Sequence, residues 1–140
     1  MPGDSRPNVL FITTDQQRWD AIGIHNDQIR TPAMDGIARA GMRFNRAYPT
    51  NAICAPARAT MITGRSQRGH HVFNNVNLSE AIPVLGDSLR QAGYATALVG
   101  KPHFKSGEYE DALPDHPPPG ASVDSRDGLW YGPYFGFDYV

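Results

Sequence analysis

The residues that most clearly indicate chemistry are Cys54 and Arg58, in the run Cys-Ala-Pro-Ala-Arg. Pro56 opens a helix-like stretch that runs to Thr63 and stops at Gly64, so Cys54 is predicted to lie just before a helix N-terminus. Backbone N–H groups and the helix dipole favour a negative charge at that point. Arg58, one helical turn further on, is placed to face it. This arrangement indicates an activated thiolate or an anion pocket, whereas a lone cysteine elsewhere would be expected to be a small buried apolar residue.

Two pairs of polar residues follow predicted strands. Asp15 and Gln16 come directly after the first predicted strand, and Lys101 and His103 come after the third. Ligands of parallel α/β sheets bind at the carboxyl ends of the strands, so these four side chains are predicted to share one site. The residues alone also allow a strand-end cap at Asp15, a solvated loop charge at Lys101 and a surface ring at His103.

Extended runs alternate with helix-like runs along the chain. This alternation predicts an α/β fold with a mostly parallel sheet flanked by helices. The first predicted strand, 8–14, is a short apolar run without alternation, which is typical of a buried strand, and further extended pieces are predicted at 42–48 and 94–99. The predicted helices follow Thr31-Pro32 up to Gly41, run from Pro56 to Thr63, and run from Pro83 to Gly93, each with an apolar face or a glycine stop. The stretch 65–78 is predicted to be irregular, and the Pro- and Gly-rich stretch 105–127 a loop that covers a site.

Two adjacent histidines, His70 and His71, lie in the irregular stretch. A metal-binding pair is one interpretation, but adjacent side chains point in different directions and no further ligands are nearby. We therefore expect both rings to be exposed, with a place beside the substrate pocket as the alternative.

Composition excludes several classes of protein. The 140 residues predict one domain, and a single cysteine rules out disulfides within the chain. A net charge of −1 argues against a general binder of nucleic acid or anionic membranes. No apolar run approaches the roughly 20 residues of a membrane span, and the N-terminus lacks the apolar segment of a secretion signal. A cytoplasmic protein is therefore expected.

Two longer runs match a known family. Cys-Ala-Pro-Ala-Arg-Ala-Thr-Met-Ile-Thr-Gly-Arg, over residues 54–65, resembles the sulfatase signature, and 93–103 resembles the second signature of that family. Pro102 stands where an aromatic residue is common, and 132–138 is also similar to sulfatases. The resemblance implies an alkaline-phosphatase-like fold, with 1–140 as the N-terminal, incomplete part of a sulfatase catalytic domain.

The resemblance also implies a covalent mechanism of sulfuric ester hydrolysis. Cys54 would be oxidised by a separate maturation enzyme to formylglycine, whose hydrate attacks sulfur with one hydroxyl and expels sulfate by losing the proton of the other. Arg58 would hold the formylglycine, and Lys101 would bind the sulfate or the leaving oxygen. His103 would hydrogen-bond the formylglycine and take its proton.

A divalent cation, Ca²⁺ or Mg²⁺, is the implied cofactor. Asp15 would ligate it, with matured Cys54 as a further ligand. Gln16 stands where many family members have a second Asp; its amide oxygen can still coordinate, with one negative charge fewer. The Asp-Gln pair resembles the branch of choline sulfatase and of phosphonate and phosphate monoester hydrolases, so cleavage of those esters is the alternative function.

The implied partners are a small-molecule sulfate ester and the formylglycine-generating maturation enzyme, with neither nucleic acid nor membrane. The resemblance does not extend to the later metal ligands of the family, an Asp followed by Asn or His, or to its second active-site Lys. The 140-residue chain alone is therefore expected to be an inactive fragment.

Overall fold

The structure is a computed structural model that describes residues 6–105 and 132–140. These residues contain four helices. They are α1 (Pro32–Ala40), α2 (Cys54–Thr63), α3 (Gln67–His70) and α4 (Leu85–Gln91). The chain divides into two units, Met1–Ala47 and Tyr48–Val140. None of the helices in the described ranges has the length and apolarity that a membrane crossing requires.

Helix ends follow local sequence signals closely. α1 begins at Pro32, directly after Thr31, and stops before Gly41, as predicted. α4 begins at Leu85, slightly later than Pro83 suggests, and Gly93 follows its end with a φ of 82°. The short helix α3 lies in the stretch 65–78, so the prediction of a wholly irregular segment there is wrong.

The predicted strands are not formed as regular strands within the described residues. Val9–Ile12, predicted to be buried, are 58% to 84% exposed, and α1 also has no buried residue. An extended segment becomes a strand only when a neighbour completes its ladder of hydrogen bonds. The stretch 94–99 has such a neighbour at one point, where Ala97 forms a parallel bridge with Tyr139.

In the first unit, Asp35 of α1 organises the chain that leads into the helix. Its carboxylate accepts hydrogen bonds from the Ile24 backbone N–H (3.0 Å) and the Thr31 hydroxyl (2.9 Å). The Thr31 hydroxyl oxygen in turn accepts one from the Gly23 N–H (2.7 Å). The Asp35 carboxylate therefore stabilises the segment that precedes α1.

The second unit has a core in which aromatic residues about thirty positions apart in sequence meet. The Phe104 ring packs edge-on against Phe135 (5.2 Å between centroids) and parallel to Tyr134 (6.2 Å). Burial, and then the negative charge of Glu80, raise the pKa of Tyr134 to about 12. The buried apolar residues of this core are Ala55, Ala59, Ile62, Val72, Leu78, Val84, Phe104, Phe135 and Phe137.

The C-terminal residues are bound to the rest of the unit by both side-chain and backbone contacts. The Asp138 carboxylate accepts hydrogen bonds from the backbone N–H (3.1 Å) and the hydroxyl (2.8 Å) of Thr96. Gly86 in α4 packs directly on Gly136, and a Cβ at Gly86 would lie 2.7 Å from the Gly136 carbonyl carbon. These contacts hold α4 and the segment that leads to Lys101 in one arrangement.

Candidate active site

Cys54 is the first residue of α2, so the helix begins two residues earlier than Pro56 predicted. Ile53 caps the helix with extended backbone (φ −80°, ψ 139°), and its carbonyl accepts the Ala57 N–H at 3.1 Å. The Asn51 side-chain oxygen accepts the Ile53 N–H at 2.7 Å. Cys54 is half-buried, at a point where the first N–H groups of a ten-residue helix favour a negative charge.

Arg58 joins α2 to the loop that carries two other predicted site residues. It lies one turn after Cys54 in the same helix, and its Nη1 donates a hydrogen bond to the Lys101 carbonyl oxygen at 2.6 Å. Arg58 and Lys101 are both half-buried. The structure therefore brings together the helix of Cys54 and the Lys101–His103 loop, which are distant in sequence.

His103 is buried, and its backbone lies in the left-handed region, with a φ of 52°. Neither Nδ1 nor Nε2 has a hydrogen-bond partner within the described part of the chain. Burying an imidazole without partners is unfavourable, so such a ring indicates a ligand that would complete its hydrogen bonds. The alternative of a surface ring at His103 is wrong.

Asp15 and Gln16 belong to the first unit, whereas the other predicted site residues belong to the second. Asp15 is exposed, and Gln16 follows it with a φ of 49°, a conformation that few residues other than glycine adopt. Asp20 is held by a nearby Arg18 through two hydrogen bonds, 2.9 and 2.6 Å, and this pairing lowers the pKa of Asp20. Among the described residues, no group of three or more His, Cys, Asp or Glu side chains is arranged to hold a metal ion.

His70 is a residue whose environment the sequence did not reveal. It is 1% exposed, which contradicts the expectation of an exposed pair, although His71 is exposed as expected. Its Nδ1 accepts the Val72 N–H at 3.1 Å, and its Nε2 lies 3.0 Å from the Thr60 hydroxyl of α2. Burial lowers the pKa of His70. No spacing signal distinguishes such a histidine from one in a polar loop.

Comparison with known proteins decides the family. The sulfatase family model matches residues 7–138, nearly the whole chain. The chain belongs to the sulfatase family. The resemblance predicted from the signatures is thereby confirmed.

Two curated sulfatases show how much of the family's length is present. The uncharacterized sulfatase YidJ of Escherichia coli (strain K12) is 37% identical over 107 residues, which are 74% of this chain and 21% of that protein. The N-acetylglucosamine-6-O-sulfatase of Bacteroides thetaiotaomicron is 37% identical over 106 residues, 72% of this chain and 18% of the relative. This sulfatase chain therefore spans about a fifth of the length of these relatives.

A solved structure shows the same likeness in three dimensions. The crystal structure of a Bacteroides fragilis protein assigned as the sulfatase yidJ aligns with a TM-score of 0.64 and 30% identity. The alignment covers 89% of this chain and 28% of that protein. Sulfatases have the alkaline-phosphatase-like fold, so the predicted fold class is supported in outline, although regular strands are not formed within the described residues.

Proposed function

We propose that this sulfatase chain contributes to the hydrolysis of sulfuric esters, with Cys54 as the precursor of the nucleophile. The observation that carries the proposal is the hydrogen bond from Arg58 to the Lys101 carbonyl. It joins the helix that begins at Cys54 to the loop that holds Lys101 and His103. A nucleophile, a cation and a proton acceptor are the groups that transfer of a sulfuryl group needs.

Each side chain has a defined task in this proposal. Matured to formylglycine, Cys54 supplies two geminal hydroxyls. One attacks sulfur and breaks the bond from sulfur to the ester oxygen, so that the alcohol leaves; deprotonation of the other then expels sulfate and regenerates the aldehyde. The Lys101 ammonium stabilises negative charge on the sulfate or on the leaving oxygen. The unpartnered nitrogens of buried His103 hydrogen-bond the nucleophile and accept its proton. Arg58 fixes the loop and contributes positive charge beside the nucleophile.

Asp15 and Gln16 are proposed to hold the divalent cation. A carboxylate and an amide oxygen are hard donors of the kind that Ca²⁺ and Mg²⁺ select, so the two residues fit such an ion. Ca²⁺ takes about six to eight oxygen ligands and Mg²⁺ about six, so these two side chains would form only part of the shell. The cation would supply positive charge to polarise the ester.

The test uses the full-length polypeptide that contains this chain, co-expressed with a formylglycine-generating enzyme. Mass spectrometry of the Cys54 peptide is expected to show the aldehyde, and an aryl sulfate is expected to be hydrolysed only when Cys54 is present. Cys54→Ser is the matched control, because serine retains one hydroxyl but cannot form the aldehyde hydrate. Unmodified Cys54, or turnover that survives in Cys54→Ser, would contradict the proposal.

The choice of ester is tested with matched substrates. Aryl sulfate, phosphate and phosphonate esters that share one leaving group are compared in the same enzyme. The proposal requires the sulfate to have the highest kcat/KM. A higher kcat/KM for the phosphonate would favour the alternative suggested by Gln16.

We further propose that residues 1–140 alone have no sulfatase activity. The proposed metal ligands are too few, and the exposed run Val9–Ile12 has no strand partner within the described residues. Assaying the matured 140-residue chain with added Ca²⁺ or Mg²⁺ tests this directly. Metal-dependent turnover that is lost in Cys54→Ala would contradict it.

A further inference from the structure

A chain of hydrogen bonds runs from buried His70 to the segment that precedes Cys54. His70 Nδ1 accepts the Val72 backbone N–H (3.1 Å), so in the neutral ring the proton lies on Nε2. Nε2 therefore donates to the Thr60 hydroxyl oxygen, 3.0 Å away. The Thr60 hydroxyl is then free to direct its own proton to the Thr50 hydroxyl oxygen, at 2.8 Å.

This chain connects the two sides of Cys54. Thr50 lies before the cysteine in the exposed lead-in to α2, and Thr60 lies after it within α2. Their hydroxyls are in contact, so the segment that contains Cys54 is closed into a ring by one side-chain hydrogen bond. Inside that ring, the Asn51 side chain accepts the Ile53 N–H and fixes the backbone directly before Cys54.

His70 is a rigid origin for this chain. Its ring is 1% exposed, and Val72, which donates to it, is 2% exposed, so neither can move without disturbing the core. A neutral imidazole with one acceptor and one donor nitrogen imposes a single direction on the hydrogen bonds that follow. This series of hydrogen bonds therefore holds Thr50, in the exposed segment, at a fixed position relative to the core.

We propose that His70 is a positioning residue that acts through Thr60 and Thr50 to hold the backbone of Cys54. The importance of this position for catalysis rests on the proposed function. The position itself can be measured without turnover, through the reactivity of the Cys54 thiol. Cys54 is the single cysteine of these 140 residues, and its alkylation is followed on the peptide that contains it.

The experiment measures the rate at which iodoacetamide alkylates Cys54 in the full chain before maturation. Thr60→Val removes the hydroxyl at nearly constant shape and breaks its hydrogen bonds with both His70 and Thr50. Loss of the Thr50–Thr60 bond, which closes the segment around Cys54, is expected to raise the rate about fivefold, the factor typical of one lost hydrogen bond. Thr60→Ser retains a hydroxyl and is expected to stay within about twofold of the wild type. Thr63→Val is the matched control, because the Thr63 hydroxyl donates to the Ala59 carbonyl and accepts the Arg65 N–H, both away from the segment that precedes Cys54.

Further variants separate positioning from general destabilisation. Thr50→Val is expected to give the same increase as Thr60→Val, and the double variant no further increase, because both remove one shared bond. His70→Ala is expected to match them. At low urea concentrations the increase in the alkylation rate is expected not to depend on the urea concentration, because a local opening exposes little additional surface.

Three results would overturn the proposal: an unchanged rate in Thr60→Val, an equal increase in Thr63→Val, or rates that rise with urea in parallel with global unfolding. Failure of the proposed function leaves a different signature. In that case the alkylation rates would follow the expected pattern while the matured protein hydrolysed no sulfate ester.

Discussion

His70 and His103 are both buried, but the ring nitrogens of His70 have protein partners, whereas those of His103 have none within the described residues. The same side chain is thus used in opposite ways in one unit. His70 is complete as it stands and contributes to stability. His103 bears a desolvated and unsatisfied ring, which is the state expected of a group that binds something outside the folded chain.

This contrast predicts different costs for the same substitution. His70→Phe removes two hydrogen bonds, leaves the buried Val72 N–H without its partner and leaves the Thr60 hydroxyl with Thr50 alone, so the free energy of unfolding is expected to fall by about 2–4 kcal/mol. His103→Phe removes no described hydrogen bond and is expected to cost at least about 2 kcal/mol less. Urea unfolding of both variants measures the difference. Equal losses would contradict it.

The proposed role of His103 as a proton acceptor predicts that its substitution lowers the catalytic rate. In the matured full-length enzyme, His103→Phe is expected to lower kcat about 10²-fold or more, because a proton acceptor is lost. The loss in kcat should exceed any rise in KM, since the role of His103 is in the transition state. Near-normal kcat in His103→Phe would place the proton acceptor elsewhere.

The pKa of His70 predicts a pH dependence of stability. Burial lowers this pKa below the ordinary value of 6.5, so the unfolded chain takes up a proton at a higher pH than the native chain does. The stability contributed by the neutral ring is complete above the unfolded value and is lost as the pH falls from there toward the folded pKa. Unfolding measured between about pH 7 and pH 5 should therefore show a steeper loss in the wild type than in His70→Gln. His71→Asn, at the exposed neighbour whose charge is a lesser cause of the shift than burial, should keep most of the wild-type dependence; a parallel decline in all three proteins would refute this.

Two helical glycines predict opposite effects of one substitution. A Cβ at Gly86 would lie 2.7 Å from the carbonyl carbon of Gly136, whereas one at Gly36 would meet nothing within 4 Å. Gly86→Ala is therefore expected to lower the free energy of unfolding by about 1–3 kcal/mol. Gly36→Ala is expected to raise it by up to about 1 kcal/mol through helix propensity. Calorimetric or urea unfolding tests the signs, and the same sign for both would contradict the argument.

Gln16 is neutral, so adding a charge at this position is predicted to change the affinity for the cation. Gln16→Asp adds a carboxylate next to Asp15 and is expected to tighten Ca²⁺ binding about tenfold in the full-length protein, since affinity follows the charge of the ligands. Aspartate tolerates the left-handed backbone at this position. Gln17→Asp places the same charge one residue later and is expected to have little effect. Isothermal titration of the three proteins distinguishes a ligand position from a general effect of charge.

Local signals account for the parts of the fold that could be predicted. Pro32 and Gly41 bound α1, and Gly64 ends α2, because proline and glycine act on their own backbone and need no distant partner. Strands depend on such partners. The run Val9–Ile12 has the composition of a buried strand, but it is buried only where another segment packs against it. The composition of the run does not reveal that neighbour.

The candidate site shows the same division between what local signals predict and what depends on distant contacts. Cys54 and Arg58 could be paired from sequence because one helical turn separates them. The hydrogen bond from Arg58 to Lys101 joins positions 43 residues apart, so the resemblance to a family could indicate it while periodicity could not. His70 was expected to be exposed because the stretch around it is polar, whereas its ring packs against α2, where it contacts the Thr60 hydroxyl, and accepts a local hydrogen bond from the Val72 N–H.

The stacking of Phe104 on Tyr134 has a consequence for how this protein can vary. These rings lie near Lys105 and Gly132, so the two ends of the intervening polypeptide are held together by the core itself. Phe104 also directly follows His103, so a substitution that reshapes either ring would shift the candidate site and the C-terminal segment together. Residues in direct contact do not vary independently. One ring of this pair can therefore be exchanged in a sulfatase only with a matching change in the other.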